Sequence, residues 1–549
     1  MTRTGARILV DQLVVHGVET AFCIPGESYI AVLDALRDAP IRLVVARHEA
    51  GAANMADAYG KLTGRPGICF VTRAPGATHA SVGVHAAYQD STPLILFVGQ
   101  VPRGHRGREA FQELDYGRMF GEMAKWIVEV EGAAAFPEIA ARAFHLATSG
   151  RPGPVVVALP EDVLSEEAEV EDAERYRPAR PAPSPQDVAR AVEALSKAEH
   201  PIVLVGGGGW TARAAADLQA WAEASRLPVA TSFRRQDYVD NSSPSYAGVL
   251  TIGHDPGLAR RLRECDVLLA LGTRLGEIAT RGYTTLEPPR LPQTLVHVHA
   301  DPGELGRVYE PDVPIVSASP EFLAATRDRP LDGSRWSEWT NAAHEGFLAW
   351  LGHRPDAGAV DLATILAHLR ERLPPDAIVT NGAGNFTVWV HRFYTFRRYR
   401  TQLSPCSGAM GYGVPAAVAA KVVHPERIVV CVAGDGDFLM SGHELAAAAQ
   451  ERAPIIVLVV NNSMYGTIRM HQERQFPGRV HATDLANPDF VALAEAYRAH
   501  AELVERNDDF AGAFERALAA GRPAVIELRV DPEAITPNAT LDEIRAGSA

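Results

Sequence analysis

The segment Gly434-Asp435-Gly436, followed after 24 residues by Asn461-Asn462, constrains the fold of this chain more than any other feature. It lies between two apolar runs, 428–433 and 455–460, which have the composition of buried parallel strands, and residues 442–450 have that of a helix. A right-handed crossover would bring the carboxyl ends of both strands to one sheet edge. Asp435 and Asn462 would then meet as oxygen donors of the kind Mg²⁺ prefers, beside glycine N–H groups open to a diphosphate. A Gly-Asp-Gly without these neighbours would be only a turn.

Composition narrows the class of protein. The chain has 549 residues, 47% of them hydrophobic and 22% charged, which predicts a soluble globular protein of three or four domains. Its formal net charge of -14 argues against a nucleic-acid partner. No apolar run is long enough to span a membrane, and the N-terminus lacks a signal-peptide core. The five cysteines are scattered without metal-binding spacing, so we expect reduced thiols in a cytoplasmic protein.

Two breaks in composition divide the chain. The first is the proline-rich stretch 176–185, and the second is a polar region at 327–358 that contains one amphipathic helix. They predict domains at 1–172, 186–330 and 358–549. Each block alternates apolar strands with helices rich in Ala and Leu, so we expect three open, mainly parallel α/β sheets.

Three motifs together carry a family resemblance. They are the Asp435/Asn462 pair, the turn Arg47-His48-Glu49 after a strand, and Ser407-Gly-Ala-Met-Gly-Tyr-Gly-Val-Pro415. The chain resembles, over nearly its whole length, the acetolactate synthase-like group of thiamine diphosphate enzymes. The resemblance implies an N-terminal pyrimidine-binding domain, a central Rossmann-like domain and a C-terminal diphosphate-binding domain. It also implies that the cofactor lies between the first domain of one subunit and the third domain of another. The chain would therefore be a homo-oligomer, at least a dimer and in many relatives a tetramer.

The resemblance assigns the cofactor site residue by residue. Glu49 stands at the position of the carboxylate that hydrogen-bonds the pyrimidine ring and promotes proton loss from the thiazolium carbon, although such a Glu can also merely begin a helix. Met410 would support the bent cofactor, and Gly408 C=O and Met410 N–H would bind the pyrimidine. Mg²⁺ would be bound by Asp435, Asn462 and the Met464 C=O. The groups expected to contact the diphosphate are Gly384, Asn385, Phe386, Gly434, Gly436 and Asp437.

Substrate-handling residues are less clearly marked. Gln112 and Gln100 match positions near the reaction centre of acetolactate synthases, and Lys125 follows the same pattern. His79 follows the loop Pro75-Gly76-Ala77-Thr78, replaces an amide that is usual there in relatives, and could transfer protons. Each of these side chains could equally be structural.

Several positions depart from acetolactate synthases. His471 replaces a Trp that selects the second keto acid, and Ile278 replaces an Arg that binds the acceptor carboxylate. The flavin-binding loop is altered around residues 250–255. Residues 206–209, a run of four glycines, could still bind a dinucleotide, so FAD remains possible but doubtful. The histidine pair of pyruvate decarboxylases is missing, and Thr72 lies where benzoylformate decarboxylases have a catalytic His.

These observations predict a thiamine diphosphate- and Mg²⁺-dependent enzyme that breaks or forms C–C bonds on a small-molecule 2-keto acid, as an acetolactate synthase-like carboligase. A 2-keto acid decarboxylase or 2-hydroxyacyl lyase is the alternative. A non-catalytic nucleotide-binding relative is the alternative from another class, but loss of Glu49 or Asp435 would be expected there and both are present. The physiological substrate and acceptor stay open.

Overall fold

Short apolar strands form the centre of each structural unit. Across residues 2–352 and 354–547, which the computed structural model describes, three six-stranded parallel sheets are flanked by helices. Their central strands are buried on both faces, as continuous Val, Ile and Leu runs require. The predicted α/β class with three open sheets is confirmed.

The N-terminal unit carries the turn around Glu49 at the carboxyl edge of its sheet. Its strands are β1 (Thr2–Thr4), β2 (Thr20–Cys23), β3 (Arg42–Val45), β4 (Gly67–Val71), β5 (Leu94–Gln100), β6 (Trp126–Glu129), β7 (Pro154–Pro160) and β8 (Glu167–Glu169). Its helices are α1 (Gly5–Val15), α2 (Ile30–Arg37), α3 (Glu49–Thr63), α4 (Ala74–Asp90), α5 (Tyr116–Phe120), α6 (Phe136–Thr148) and α7 (Glu161–Ser165). The sheet order is β3-β2-β4-β5-β7-β6, and β1 pairs antiparallel with β8.

The middle unit is a second open sheet with the order β11-β10-β9-β12-β13-β14. Its strands are β9 (Pro201–Val205), β10 (Val229–Thr231), β11 (Tyr246–Val249), β12 (Val267–Leu271), β13 (Thr294–His299) and β14 (Val313–Val316). Its helices are α8 (Pro185–Ser196), α9 (Ala212–Ser225), α10 (Pro256–Glu264), α11 (Ser319–Thr326) and α12 (Ser337–Trp350). Helix α12 packs on β11, and its Trp339 side chain donates to Pro201 C=O at 3.0 Å.

The C-terminal unit has the sheet order β16-β15-β17-β18-β20-β19. Its strands are β15 (Ile378–Asn381), β16 (Gln402–Leu403), β17 (Val429–Gly434), β18 (Ile456–Asn461), β19 (His500–Val504) and β20 (Ala524–Arg529). Its helices are α13 (Leu362–Arg372), α14 (Phe386–Phe393), α15 (Gly413–Val423), α16 (Asp435–Leu439), α17 (Leu445–Gln450), α18 (Gly466–Gln475), α19 (Phe490–Ala496), α20 (Asn507–Ala519) and α21 (Leu541–Arg545). Strands β17 and β18 are neighbours, as the crossover predicts. No helix in the described part of the chain is both long and apolar enough to cross a membrane.

Small residues allow the N- and C-terminal units to approach closely. Helices α3, α4 and α15 pack together, and their alanines belong to one hydrophobic core shared by both units. A Cβ atom at Gly83 would lie 2.5 Å from the Ala53 Cβ, so a larger residue would separate α4 from α3. This packing brings the end of β3 next to the C-terminal unit.

A buried network of charges joins all three units. Asp90 is 2% exposed and accepts hydrogen bonds from Lys61 Nζ at 2.9 Å, Arg235 Nη2 at 3.0 Å and the Cys406 main-chain N–H at 3.0 Å. Lys61 also pairs with Asp57 at 2.8 Å. Burial alone would raise the pKa of Asp90, but the charges of Lys61 and Arg235 outweigh it and the pKa is lowered. The ionised form is thus the one that bridges the units.

We expect Asp90→Asn to lower the free energy of unfolding by about 3–5 kcal/mol, because Arg235 would lose its buried counter-charge. Urea denaturation followed by tryptophan fluorescence measures this change. Glu193→Gln, which removes the exposed pair with Lys197, is the control and should leave the midpoint unchanged. Equal midpoints for Asp90→Asn and the wild type would contradict the bridging role.

Candidate active site

A cavity of about 380 Å³ opens at the carboxyl ends of β15, β17 and β18. This is the edge where ligands bind in open parallel sheets, beside the point at which the strand order reverses. All the residues that the sequence analysis assigns to the cofactor or metal line this cavity, except Glu49. They are Gly384, Asn385, Phe386, Gly408, Met410, Gly434, Asp435, Gly436, Asp437, Asn462 and Met464.

Asp435 has the environment of a metal ligand. Its side chain is 3% exposed and has no cationic partner within 4 Å among the described residues. Burial raises its pKa, while hydrogen bonds from Asn487 and the Gly436 N–H oppose the rise. A buried carboxylate without a counter-charge is costly, and a bound cation would supply one. The oxygen donors at this position therefore fit Mg²⁺.

The other two proposed ligands lie on a strained turn after β18. Asn462 Oδ1 accepts the Met464 N–H at 3.3 Å, and Ser463 between them has a left-handed φ of 56°. The turn is fixed by two main-chain bonds, from Tyr465 N–H to Thr483 and from Leu485 N–H to Ser463. Asn462 and Met464, on this turn, line the same cavity as Asp435.

Asn487 is a site residue that the sequence analysis missed. Its Nδ2 donates to Asp435 Oδ2 at 2.7 Å and to Asn461 Oδ1 at 2.9 Å. It therefore orients the predicted metal ligand and ties it to the neighbouring strand end. Its position after the asparagine pair follows no spacing rule, so only the three-dimensional structure identifies it.

The side chain of Asp437 also has a role that the sequence analysis did not predict. Its Oδ1 accepts the N–H groups of Gly411 at 2.7 Å and Ala383 at 3.3 Å. Burial raises the pKa of Asp437 to about 7, and these two N–H groups reduce the rise. Asp437 thus connects the turn after β15 with the turn that carries Gly408 and Met410.

Glycines shape the cavity wall at two places. Gly408 has a φ of 69°, and a Cβ built there would meet no atom within 4 Å, so its main chain borders open space. A Cβ at Gly436 would lie 2.7 Å from the Tyr465 ring. Open space at Gly408 fits close approach of a ligand to the backbone, whereas Gly436 makes room for the Tyr465 ring. Met410, half-buried on the same wall, offers the apolar surface predicted for it.

Asn385 and Phe386 contribute through protein contacts. Asn385 Nδ2 donates to Ile535 C=O at 2.9 Å, and its Oδ1 accepts the Thr467 hydroxyl at 2.8 Å. Phe386 is buried, and its ring lies 3.1 Å from a Cβ built on Gly434. The Asn385 side chain is therefore engaged with α18 and the C-terminal segment, which leaves main-chain groups for a diphosphate.

The predicted catalytic residues of the N-terminal unit lie together on a separate surface. Glu49 Oε2 is 2.9 Å from His79 Nδ1. The start of α4 lies close to Glu49, because a Cβ built on Gly76 would be 3.6 Å from Glu49 Oε1. In the same turn of α4, the Ala74 N–H donates to the Gln112 C=O at 3.3 Å. Gln112 adopts a φ of 64°, and its neighbour Phe111 is 75% exposed. Glu49 and His79 are thus in contact, Gln112 lies in a loop bonded to the start of α4, and none of the three lines the C-terminal cavity.

The part of the cavity wall that comes from the middle unit is mostly apolar. Ile252 and Ile278 line it, and Arg234 is the only cationic side chain among the described residues that line the cavity. Arg234 is 2% exposed and its Nη1 donates to Pro405 C=O. Ile278 therefore lines the cavity. By the resemblance, it stands where acetolactate synthases have the Arg that binds the acceptor carboxylate.

Three polar residues considered for substrate contact lie elsewhere. Gln100 is fully buried, where its amide hydrogen-bonds the Leu114 carbonyl and the Val101 N–H. Lys125 Nζ donates to the carbonyls of Leu146 and Ser149 at the end of α6. His471 is exposed on α18 and does not line the cavity. The side chains of Gln100 and Lys125 thus donate hydrogen bonds to main-chain carbonyls.

The glycine run of the middle unit is explained by packing. Cβ atoms at Gly206, Gly207 and Gly208 would lie 2.0 Å from Ser232 Oγ, 1.9 Å from Gly272 C=O and 2.1 Å from Ser91 C=O. These glycines are required by their neighbours whether or not a dinucleotide binds beside them.

Comparisons with known proteins place most of the chain in one family. Models of the thiamine pyrophosphate enzymes match residues 3–119 (N-terminal TPP binding domain), 188–326 (central domain) and 382–528 (C-terminal TPP binding domain). The acetolactate synthase isozyme 2 large subunit of Escherichia coli (strain K12) is 31% identical, with 96% of this chain and 95% of the relative aligned. The probable acetolactate synthase large subunit of Methanocaldococcus jannaschii is 30% identical over 97% and 93% of the two chains. The acetolactate synthase large subunit of Corynebacterium glutamicum is 33% identical over 97% and 87%.

We expect Asn487→Ala to weaken Mg²⁺ binding about 10- to 100-fold, because Asp435 would lose the donor that orients it. Calorimetric titration of Mg²⁺ in the presence of thiamine diphosphate measures the affinity. Asn341→Ala, on the exposed face of α12, is the matched control. Unchanged affinity for Mg²⁺ in Asn487→Ala would contradict the orienting role.

Proposed function

Because the chain belongs to the thiamine pyrophosphate enzyme family, we propose that it is an acetolactate synthase-like carboligase that acts on 2-keto acids with thiamine diphosphate and Mg²⁺. The observation that carries the proposal is the cavity at the carboxyl ends of β15, β17 and β18, where no cationic side chain of the described residues pairs with the buried carboxylate of Asp435. Bound thiamine diphosphate supplies a nucleophilic carbon and an electron sink, with which a 2-keto acid can lose CO₂ and be joined to a second carbonyl.

The C-terminal unit would bind the cofactor. Asp435, Asn462 and the Met464 carbonyl would coordinate Mg²⁺, with phosphate oxygens and water completing the shell. Main-chain N–H groups of Gly384, Gly434, Gly436 and Asp437 would contact the diphosphate. At the other end of the cavity, the Gly408 C=O and Met410 N–H would bind the pyrimidine, and the Met410 side chain would support the bent conformation.

Glu49 would hold and release the proton that starts the reaction. Its carboxylate would contact the cofactor's pyrimidine ring, while His79 Nδ1, 2.9 Å from Oε2, keeps the carboxylate oriented. The contact between His79 Nδ1 and Glu49 Oε2 supports His79 as a group that exchanges a proton with this carboxylate. Gln112, whose loop is hydrogen-bonded to Ala74 at the start of the helix that carries His79, would contact substrate.

A second copy of the chain would complete the site. The cavity of one chain is lined by residues of its middle and C-terminal units, whereas Glu49, His79 and Gln112 lie on a different surface. Exposed apolar side chains occur on both surfaces: Phe111 beside Gln112, and Ile468 at the cavity. We therefore propose a homo-oligomer, at least a dimer, in which each cavity receives Glu49 from a partner; a tetramer stays a prediction.

The cavity wall that comes from the middle unit affects which acceptor, the second carbonyl compound, the enzyme is expected to use. A 2-keto acid acceptor carries a carboxylate, but Ile278 and Ile252 offer it no hydrogen bond, and Arg234 is engaged with the Pro405 carbonyl. We therefore expect the enzyme to accept less polar or uncharged second carbonyl compounds better than a second 2-keto acid. FAD binding likewise stays a prediction, which an absorbance spectrum of the purified protein tests.

We expect Glu49→Gln to lower kcat by about 10²–10⁴-fold while leaving cofactor affinity nearly unchanged, because the amide cannot take up the proton. Steady-state kinetics and cofactor titration by tryptophan fluorescence measure the two effects. Asp435→Ala is the contrasting variant and should abolish Mg²⁺-dependent cofactor binding. Turnover at the wild-type rate in Glu49→Gln would disprove the mechanism.

The choice between carboligation and decarboxylation is tested on the wild-type protein. It is incubated with Mg²⁺, thiamine diphosphate, pyruvate or larger 2-keto acids, and an aldehyde acceptor. We expect CO₂ release together with C–C coupled product. Aldehyde as the sole product would instead assign a decarboxylase, and the absence of turnover with cofactor bound would favour a non-catalytic relative.

A further inference from the structure

The turn that precedes Glu49 is held by a carboxylate from the C-terminal unit of the same chain. Glu444 Oε1 accepts the main-chain N–H groups of Arg47 and His48, each at 3.0 Å, and its Oε2 accepts the Arg47 N–H at 3.1 Å. His48 is the N-cap of α3, and Glu49 is the first residue of that helix. The two donors thus lie immediately before the proposed catalytic carboxylate.

Glu444 is fitted closely into this position. Its side chain is fully buried, and a Cβ at Gly51 would lie 2.2 Å from its Oε1, so the first turn of α3 has no room for a larger residue. The guanidinium of Arg47 faces Gln450, which its Nη2 contacts at 2.7 Å. Without Glu444, two main-chain donors at a buried junction would lose their acceptor, and the turn would have to move to find another.

The chain connects Glu444 directly to the predicted metal site. Helix α16 begins at Asp435, and Glu444 ends the short 3₁₀ turn Gly442–Glu444 that follows it. The same stretch of chain therefore carries a metal ligand at one end and the acceptor for the Glu49 turn at the other.

Resting on the proposed function, we propose that Glu444 is a positioning residue, which fixes the direction of the Glu49 carboxylate through the main-chain N–H groups of Arg47 and His48. Glu444 itself is not among the residues that line the proposed cofactor cavity. Displacement of a catalytic group by about 1 Å can cost about 100-fold in rate, so the accuracy of this turn matters for turnover.

The protonation state of Glu444 adds a pH dependence. Burial raises its pKa to about 7, and the N–H groups of Arg47 and His48 and the charge of Arg47 reduce the rise. His443 Nε2 also faces it, at 3.7 Å from Oε1, and His48 contributes its ring to the same junction. Above pH 7 the ionised carboxylate accepts all three hydrogen bonds, and protonation at lower pH converts one oxygen into a donor.

The test variant is Glu444→Gln, which keeps the volume but replaces one acceptor oxygen with an NH₂ group. Its matched control is Glu451→Gln, which removes another contact between the same two units, the 2.6 Å pair of Arg42 and Glu451. The first measurement is amide hydrogen exchange of residues 42–52 in the cofactor-free protein. We expect faster exchange at Arg47 and His48 in Glu444→Gln alone.

The second measurement is hydrogen–deuterium exchange at the thiazolium carbon of bound thiamine diphosphate, which needs no substrate. We expect the rate to fall about 10- to 100-fold in Glu444→Gln, with cofactor affinity nearly unchanged and with loss of the pH dependence near 7. Glu444→Asp, which keeps the charge, should recover part of the rate. Glu451→Gln should match the wild type.

The outcomes separate the positioning role from the proposed function. A folded Glu444→Gln variant that binds cofactor and matches the wild type in both exchange measurements would overturn the positioning role. Failure of the wild type to bind thiamine diphosphate would overturn the proposed function, while the amide-exchange result would still show whether Glu444 fixes the turn. If Glu444→Gln does not fold, Glu444→Asp is compared with Glu451→Gln by the same two measurements, and wild-type rates there would also overturn the positioning role.

Discussion

Asp90 is contacted from three structural units at once, and the arrangement of the molecule depends on this contact. Lys61 approaches it from the same unit, Arg235 from the middle unit and the Cys406 N–H from the C-terminal unit. Cys406 and Arg234, the neighbour of Arg235, both line the proposed cofactor cavity. An unpaired buried charge costs free energy. A shift of the middle unit would separate Asp90 from Arg235 and is therefore unfavourable. The cavity wall is thereby fixed relative to the metal ligands.

The sequence was sufficient to predict the parts of the site that depend on chain direction and backbone geometry. Parallel strands place their carboxyl ends on one edge, so Asp435 and Asn462 had to be close once both flanking runs were strands. Gly408 needs its left-handed φ, and glycine is the residue that adopts it readily. The three α/β sheets followed from alternating apolar strands and helices for the same reason, because periodicity is a local property.

Contacts between distant segments could not be predicted in this way. Asn487 orients Asp435 across 52 residues, and Glu444 reaches the Arg47 N–H across 397. Such contacts depend on the direction of single side chains after packing, which no spacing rule encodes. The same limit applies to Gln100, whose amide hydrogen-bonds the Leu114 carbonyl, the Val101 N–H and the Glu129 carboxylate, contacts that its position in the sequence does not predict. Sequence pattern identifies which residues follow the strands, and packing decides where their side chains point.

Because the proposed site is divided between two surfaces, the contact between the N-terminal and C-terminal units also connects two sites. Within one chain, Glu444 joins the unit that carries the metal ligands to the turn that carries Glu49. If Glu49 serves a cavity in a partner, each chain contributes a cofactor pocket to one site and a proton acceptor to another. The segment between Asp435 and Glu444, together with the hydrogen bonds of Glu444 to the Arg47 and His48 N–H groups, then links the predicted metal ligand of one site to the Glu49 turn of the other.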